Sequence, residues 1–411
     1  MPLLALGLDS FDTPFAGCTT HFASLLLAVA AQLGLEPIDY PWLVRLNPAA
    51  PWKTRGNGAI ALLLRTRGRR NAEELLSAAW RLAEAYAPGS RKASIAALYL
   101  ENVESLNEYL AARPRCLETL YRRAVHEIVD PGLAITCLAK RARIYGAGRR
   151  GLVGAAAALG WDPRRDYTFE LLAYREPRRW ATPRRLDEHS VVAYDLRHRP
   201  VTFANYDYES SRPLIAPHGT DPVLYGVRGT DPRVLVMALE EIDAGEEPSH
   251  WTLFRSNQAT NEHLRPKTLT STRPYDNVVI VAELASRPRR LPGGHIVVDI
   301  VDHTGTATLA AYRETGMLRR VLETLEPGDV VVAAGRAKRR RGELTLNLEL
   351  LSPRGREPPC CRFCGNDWVY PPLSALHHLA APPERCLAPP PGPLKPPRGE
   401  FFTTPHRFTL E

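Results

Sequence analysis

The chain has 411 residues, 44% hydrophobic and 8% aromatic, which is the composition of a globular protein long enough for two to four domains. It contains no run of eighteen apolar residues, so no membrane-spanning helix is expected. Its first apolar run carries Asp9 and lacks a basic leader, which argues against a signal peptide and for a cytoplasmic protein.

Of 53 basic residues 47 are Arg and 6 Lys, for a net charge of +8 and a pI of about 9.2. Guanidinium forks match phosphates and stack on bases, so this balance leans toward nucleic acid. An Arg excess with only two Gln and three Met also fits heat adaptation.

Residues 3–8 read as a buried strand, with Asp9 and Asp12 where it should end. A turn with Pro14 and Gly17 follows. Thr19 and Thr20 then head an amphipathic helix through Phe22, Leu26, Val29 and Leu33, and either is a natural N-cap. Strand, acidic turn and helix N-terminus are the parts of a phosphate and Mg²⁺ site: carboxylates hold the cation and helix amides face the anion.

Strand-like runs at 43–46 and 60–64 flank a loop with Lys53, Thr54, Arg55, Gly56, Asn57 and Gly58, a loop suited to phosphate contacts or to a basic hairpin. An amphipathic helix is predicted over 71–87, and more helix through 93–129. Gly146, Gly148 and Gly151 form a G-x-G-x-x-G, with Glu170 near the spacing of a ribose-binding acid. The run before it, 140–145, is too charged for the first strand of a dinucleotide-binding unit, so the loop with Arg149 reads instead as a further phosphate contact.

From 164 the pattern predicts strands at 167–174, 190–195 and 251–255 and a helix over 231–243, a small α+β unit. Strands at 277–284, 295–302 and 306–312, a helix at 314–325, then strands at 329–337 and 343–350 follow OB-fold order. The last two strands are joined by Lys338, Arg339, Arg340 and Arg341, the kind of loop with which such barrels grip nucleic acid.

The last 59 residues hold 14 of the 37 Pro. Cys361 and Cys364 make half a zinc knuckle, with His377, His378 and Cys386 as candidate remaining ligands. The clustering of Cys360, Cys361, Cys364 and Cys386 favours a metal over disulfides, although hyperthermophiles do form intracellular disulfides, whereas Cys18, Cys116 and Cys137 are scattered and read as core or turn residues.

Several of these segments together resemble one family, the archaeal tRNA-isoleucine 2-agmatinylcytidine (agmatidine) synthetases. The resemblance rests on Gly7–Thr13 with Gly17-Cys18-Thr19-Thr20, on Arg45–Ala59, on the loop at 146–155, on 168–175, on Asn205-Tyr206-Asp207, and on 217–224 and 254–260. It implies a multidomain α+β protein: a kinase-like α/β ATP-binding domain (1–163), a ferredoxin-like α+β domain (164–270), an OB-fold β-barrel (271–353) and a Pro-rich zinc-ribbon-like module (354–411).

It further implies ATP, Mg²⁺ and Zn²⁺, with agmatine and a CAU-anticodon isoleucine tRNA as substrates and no obligate protein partner. Asp9 and Asp12 are then the Mg²⁺ ligands, Thr19 the autophosphorylated threonine, and Lys53 and Arg55 the neutralising cations. Thr20, Thr54, Gly56, Asn57, Gly58, Gly146, Gly148, Arg149 and Gly151 bind nucleotide. Asp207, Glu209 and Asp221 are guessed, on charge, to hold agmatine; Lys338 to Arg341 hold tRNA; and Cys361, Cys364, His377 and Cys386 hold zinc. Two departures stand out: the family's second Asp is Ser10 and its Thr is Phe11. An RNA-binding protein with weakened or lost catalysis is the alternative they suggest.

Overall fold

The computed structural model describes residues 1–12, 17–53, 56–139, 141–146, 149–208, 211–217, 219–340, 342–353 and 402–403. Thr54, Arg55, Gly148, Glu209, Arg341, Cys361, Cys364, His377 and Cys386 lie outside them, and with them the expected zinc site.

The principal sheet is built from β1 (Leu3–Asp9), β2 (Trp42–Arg45), β3 (Gly58–Arg65), β4 (Ser94–Leu100), β5 (Ala142–Tyr145), β6 (Thr168–Tyr174), β7 (Thr202–Phe203), β8 (Val223–Gly229) and β9 (His250–Ser256). Their spatial order is β5-β4-β1-β3-β2-β9-β6-β8-β7. The two halves of the chain up to residue 256 therefore share one sheet. They join where β9 runs parallel to β2 for two paired positions, Arg255 to Trp42 and Ser256 to Leu43.

β1 is an unbroken apolar run because both of its faces are covered. Leu3 and Ala5 face a core built with α4 (Arg115–His126), α5 (Pro131–Leu138) and α6 (Gly151–Gly160). Leu4, Leu6 and Leu8 face α1 (Thr19–Gln32) and α2 (Arg69–Tyr86) on the other side. Gly7 sits where α6 lies directly on the strand: a Cβ there would stand 1.8 Å from the Ala155 carbonyl oxygen.

Three expectations are corrected. Residues 94–100 form β4, paired antiparallel with β1, and helix resumes only at α3 (Leu106–Ala112). Their seven-residue run reads equally as strand or helix by periodicity, and a vacant edge of β1 decides it. Residues 190–195 lie in α7 (Glu188–His198), because the Asp187 carboxylate accepts from the His189 and Ser190 N–H groups and starts a helix. Cys116 and Cys137 are joined by a disulfide between α4 and α5.

α8 (Pro232–Glu241) completes the second half of the sheet. The barrel follows with β10 (Asn277–Leu284), β11 (Ile296–Val301), β12 (Thr306–Ala311), α9 (Met317–Glu323), β13 (Val330–Arg340) and β14 (Glu343–Pro353). Its order is β10-β13-β14-β12-β11, closed by pairing of β10 with β11. This is the OB-fold arrangement expected from the sequence. Among the described residues no helix is long and apolar enough to cross a membrane.

Candidate active site

Asp9 ends β1, opposite Ser94 of β4. Ser10 turns the chain out of the strand in the left-handed region at φ 65°. Phe11 then drops into the core and stacks on Phe22 of α1, ring centroids 3.7 Å apart and 5° from parallel. Position 11 is thus an aromatic anchor that stabilises the turn by roughly 2–3 kcal/mol of burial.

The Phe11 N–H donates to Thr19 Oγ1 at 3.2 Å, and Thr19 Oγ1 lies 3.5 Å from Asp12 Oδ2. The turn and the start of α1 are therefore tied together through Thr19. The N-cap of α1 is Cys18, whose sulfur accepts from the His21 N–H, so Thr19 and Thr20 are the first two helical residues and not the cap. His21 Nδ1 shares a 2.9 Å hydrogen bond with the Tyr86 hydroxyl, and burial, with His250 nearby, holds its pKa down at about 4. It is a neutral packing group here and supplies no charge for a phosphate.

Asp9 is half-buried at the end of the strand, and its pKa is pushed up to about 8, first by loss of solvent and then by the neighbouring Asp12 carboxylate. Gly146, Gly151 and Gly154 explain how Asp9 and the neighbouring strand end come to be crowded. A Cβ on Gly154 would stand 2.0 Å from Asp9 Oδ2, one on Gly151 2.3 Å from the Lys92 carbonyl, and one on Gly146 2.4 Å from the Ala93 carbonyl. These glycines let the loop and the first turn of α6 press onto the ends of β1 and β4. Their observed role is close backbone approach.

A cleft opens beside Asp9. Its polar lining includes Lys53, Asn57, Lys92, Glu127 and Arg150, and its apolar lining Leu46, Val129 and Val153. The Arg150 guanidinium lies 3.6 Å over the Trp52 ring. Arg149, named from the sequence, points elsewhere: it donates to the Ala93 carbonyl and lies over Tyr145. Lys92, Arg150 and Trp52 were missed by sequence reasoning. Reading 93–129 as helix hid that Lys92 precedes the strand opposite Asp9; for Arg150, its place beside Arg149 in the glycine loop was the available signal.

The structure thus gathers Asp9, Lys53, Asn57 and Gly58 at one cleft, with Asp12, Thr19 and Thr20 at the adjoining turn. It does not bring Asp207 or Asp221 to that cleft. Asp207 is buried within 4.0 Å of Arg212, and Asp221 accepts the Val223 N–H at 2.8 Å. Glu170 is no ribose acid: it is buried between Arg45 and Arg228, at 2.8 and 2.7 Å. Lys338, Arg339 and Arg340 are exposed at the end of β13, where the barrel's last hairpin turns through Gly342.

A larger hollow of about 770 Å³ lies between α1, α8 and β9, lined by Tyr40, Val236 and Trp251. Among its described lining residues Arg233 alone carries a charge of fixed sign. The Asp9 cleft, where carboxylate and cations converge, is the candidate site.

A cleft where a carboxylate and cations converge, joined to an OB-fold barrel with a basic hairpin, is the arrangement expected of an enzyme that acts on nucleic acid. Family models for the TiaS TCKD domain (residues 5–141), the TiaS FLD domain (149–263) and the OB-fold nucleic acid binding domain (278–353) match along the chain. The chain belongs to the tRNA-isoleucine 2-agmatinylcytidine synthetase (TiaS) family. It is 51% identical over 408 residues to the 2-agmatinylcytidine synthetase TiaS of Hyperthermus butylicus, covering 94% of this chain and 93% of that one. It is 36% identical to the Pyrococcus horikoshii protein of the same name (88% and 85% covered). Solved structures of apo TiaS and of TiaS in complex with its isoleucine tRNA, AMPCPP and agmatine superpose on it with TM-scores of 0.75 each at 28% identity. They cover 89% and 85% of this chain, and 85% and 83% of theirs.

Proposed function

We propose that this chain is an ATP-dependent ligase that joins agmatine to carbon 2 of the wobble cytidine of a CAU-anticodon isoleucine tRNA. The observation that carries the reading is the near full-length relation to the Hyperthermus butylicus synthetase, and the Asp9 cleft supplies the chemistry it needs. In this reading residues 1–163 are the kinase-like ATP-binding domain, 164–270 the ferredoxin-like domain, 271–353 the tRNA-binding OB-fold and 354–411 the zinc-ribbon-like module, with Cys361, Cys364, His377 and Cys386 as Zn²⁺ ligands.

The carbon-2 oxygen of cytidine is a poor leaving group. ATP places a phosphoryl group on it, and the primary amine of agmatine then adds at carbon 2 and expels phosphate. Lys53, Arg55, Lys92 and Arg150 would balance the charge that develops on the transferred phosphoryl group. The backbone from Thr54 to Gly58, with the amides at the starts of α1 and α6, would cradle the phosphates. Thr19, in the first turn of α1, stands where a phosphate ester is favoured by the helix dipole.

Asp9 and Asp12 fit Mg²⁺, which binds through one or two carboxylates and substrate phosphates and keeps several waters. Such an ion would supply positive charge beside Asp9. Ser10 in place of a third acid is compatible with that coordination habit. Asp207, Asp221 and Glu209 are the carboxylates we assign to the agmatine dication. Nothing favours a chain that has lost catalysis.

The test is mass spectrometry of the wobble nucleoside after incubation with ATP, Mg²⁺, agmatine and the CAU-anticodon isoleucine transcript. The agmatine adduct is expected, and it should be absent without ATP. No adduct with the complete mixture would refute the assignment.

A further inference from the structure

Asn47 is 1% exposed, and its hydrogen-bonding groups are engaged on three sides. Its N–H donates to the Ala124 carbonyl of α4 at 2.9 Å. Its carbonyl accepts from Asn57 Nδ2 at 2.7 Å, which holds Asn57 in the left-handed region at φ 47° and closes the 46–57 loop that carries Lys53. Its side-chain oxygen accepts from the Ala49 N–H at 2.7 Å.

The remaining partners come from the barrel. Asn277 Nδ2, at the first position of β10 and 2% exposed, donates to Asn47 Oδ1 at 2.8 Å, and Asn47 Nδ2 donates to the Tyr275 carbonyl at 3.2 Å. The Ala49 N–H fixes which end of the Asn47 amide is oxygen. That in turn requires Asn277 to present its NH₂, so the pairing has one orientation.

The barrel side leads to the basic hairpin. Tyr275 is held at φ 73°, a costly conformation for an aromatic residue, and such residues persist where their surroundings over-determine them. Its N–H donates to the Ala337 carbonyl, and the Ala337 N–H donates to the Asp276 carbonyl, on the strand that continues as Lys338, Arg339 and Arg340. A chain of hydrogen bonds, buried at Asn47 and Asn277 and passing through the exposed Tyr275, thus runs from the barrel's basic hairpin to the loop lining the Asp9 cleft.

We propose that Asn47 is a positioning residue, through which the start of the OB-fold sets the shape of the 46–57 loop and so the nucleotide affinity of the cleft. The inference deepens the ligase reading and rests on it for the identity of the nucleotide. Removing the Asn277 donor leaves Asn47 Oδ1 half satisfied in a dry site, which costs enough to shift a loop equilibrium by about tenfold.

The experiment uses the full chain and Asn277→Ala. Amide hydrogen exchange of the 46–57 segment should speed up about tenfold and ATP should bind about tenfold more weakly, while tRNA affinity and barrel exchange stay within about twofold of wild type. Lys267→Ala removes a neighbouring ion pair, Lys267 to Asp276 at 2.6 Å, and should leave loop exchange unchanged. The coupling is overturned if Asn277→Ala exchanges like wild type, or if Lys267→Ala opens the loop equally. Should the Ala variant fold poorly, Asn277→Ser keeps a hydroxyl and is read by the same two measurements. If Asn277→Ala shows the loop response while the wild-type chain binds no ATP, the coupling stands and the nucleotide reading falls.

Discussion

Two carboxylates of the same sheet, Glu170 buried and Asp9 half-buried, are shifted in opposite directions. Glu170 lies between two guanidiniums, and although burial alone would raise its pKa, Arg228 and Arg45 together pull it below its ordinary value. Among the described residues no cation does the same for Asp9; burial and Asp12 drive it up to about 8. The first is a finished structural ion cluster. The second is an acid at the edge of a cleft whose surroundings disfavour its charge. An acid whose environment disfavours its own charge is a better pointer to function than an acid that is merely buried.

The contrast can be broken most severely at Asp9. Asp9→Asn should lower adduct formation by about three orders of magnitude while leaving the chain folded, as measured by single-turnover assay beside a thermal melt. Activity within about tenfold of wild type would remove Asp9 from the chemistry. The same variant tests the electrostatics. In chelator, folded Asp9 holds its proton up to about pH 8 whereas the unfolded group releases it near 3.8, so the folded state binds more protons between those values. Wild-type stability should therefore fall as pH rises through that window, and Asn should flatten the slope.

Glu170→Gln leaves two guanidiniums buried against each other and should cost about 3–5 kcal/mol in denaturant unfolding. Its linkage has the opposite sign. The depressed pKa contributes stability above the ordinary glutamate range, which is lost as pH falls through the folded value. Reducing the Cys116–Cys137 disulfide, whose partners are 21 residues apart, should cost about 3 kcal/mol in the same assay. It should also loosen Val129 and Pro131 at the cleft wall.

The smallest effect on the fold is expected where charges stand exposed at the end of a strand. Replacing Lys338, Arg339 and Arg340 by Ala should leave folding unchanged and reduce the slope of log tRNA affinity against log salt by about 2. An unchanged slope would mean that the hairpin does not touch phosphate.

Much of this was legible in residues. The apolar run ending at Asp9, the 46–57 loop and the five barrel strands each follow from local pattern, and the structure places them as that pattern suggests. What was illegible depends on partners distant in sequence. Residues 94–100 are a strand only because β1 offers an edge, and losing that strand hid Lys92. Arg149 and Arg150 are equivalent in sequence, and only the position of Trp52 decides which one faces the cleft. The sequence marked Gly146 and Gly151 as phosphate contacts without showing that they and Gly154 also leave room for Asp9 and for the carbonyls of Lys92 and Ala93. The disulfide needed the packing of α4 on α5.

The seam between β2 and β9 has a consequence for how the chain is made. Leu43 and Arg45 present backbone groups that are met by Ser256 and Asn257, more than 210 residues later: Ser256 Oγ donates to the Leu43 carbonyl at 2.7 Å, and the Arg45 N–H donates to Asn257 Oδ1 at 2.6 Å. On the ribosome that edge stays open until well over half of the protein has emerged. An unpaired strand edge invites other chains, so the N-terminal half is born in need of its own second half, and synthesis halted before residue 256 should yield a product that aggregates.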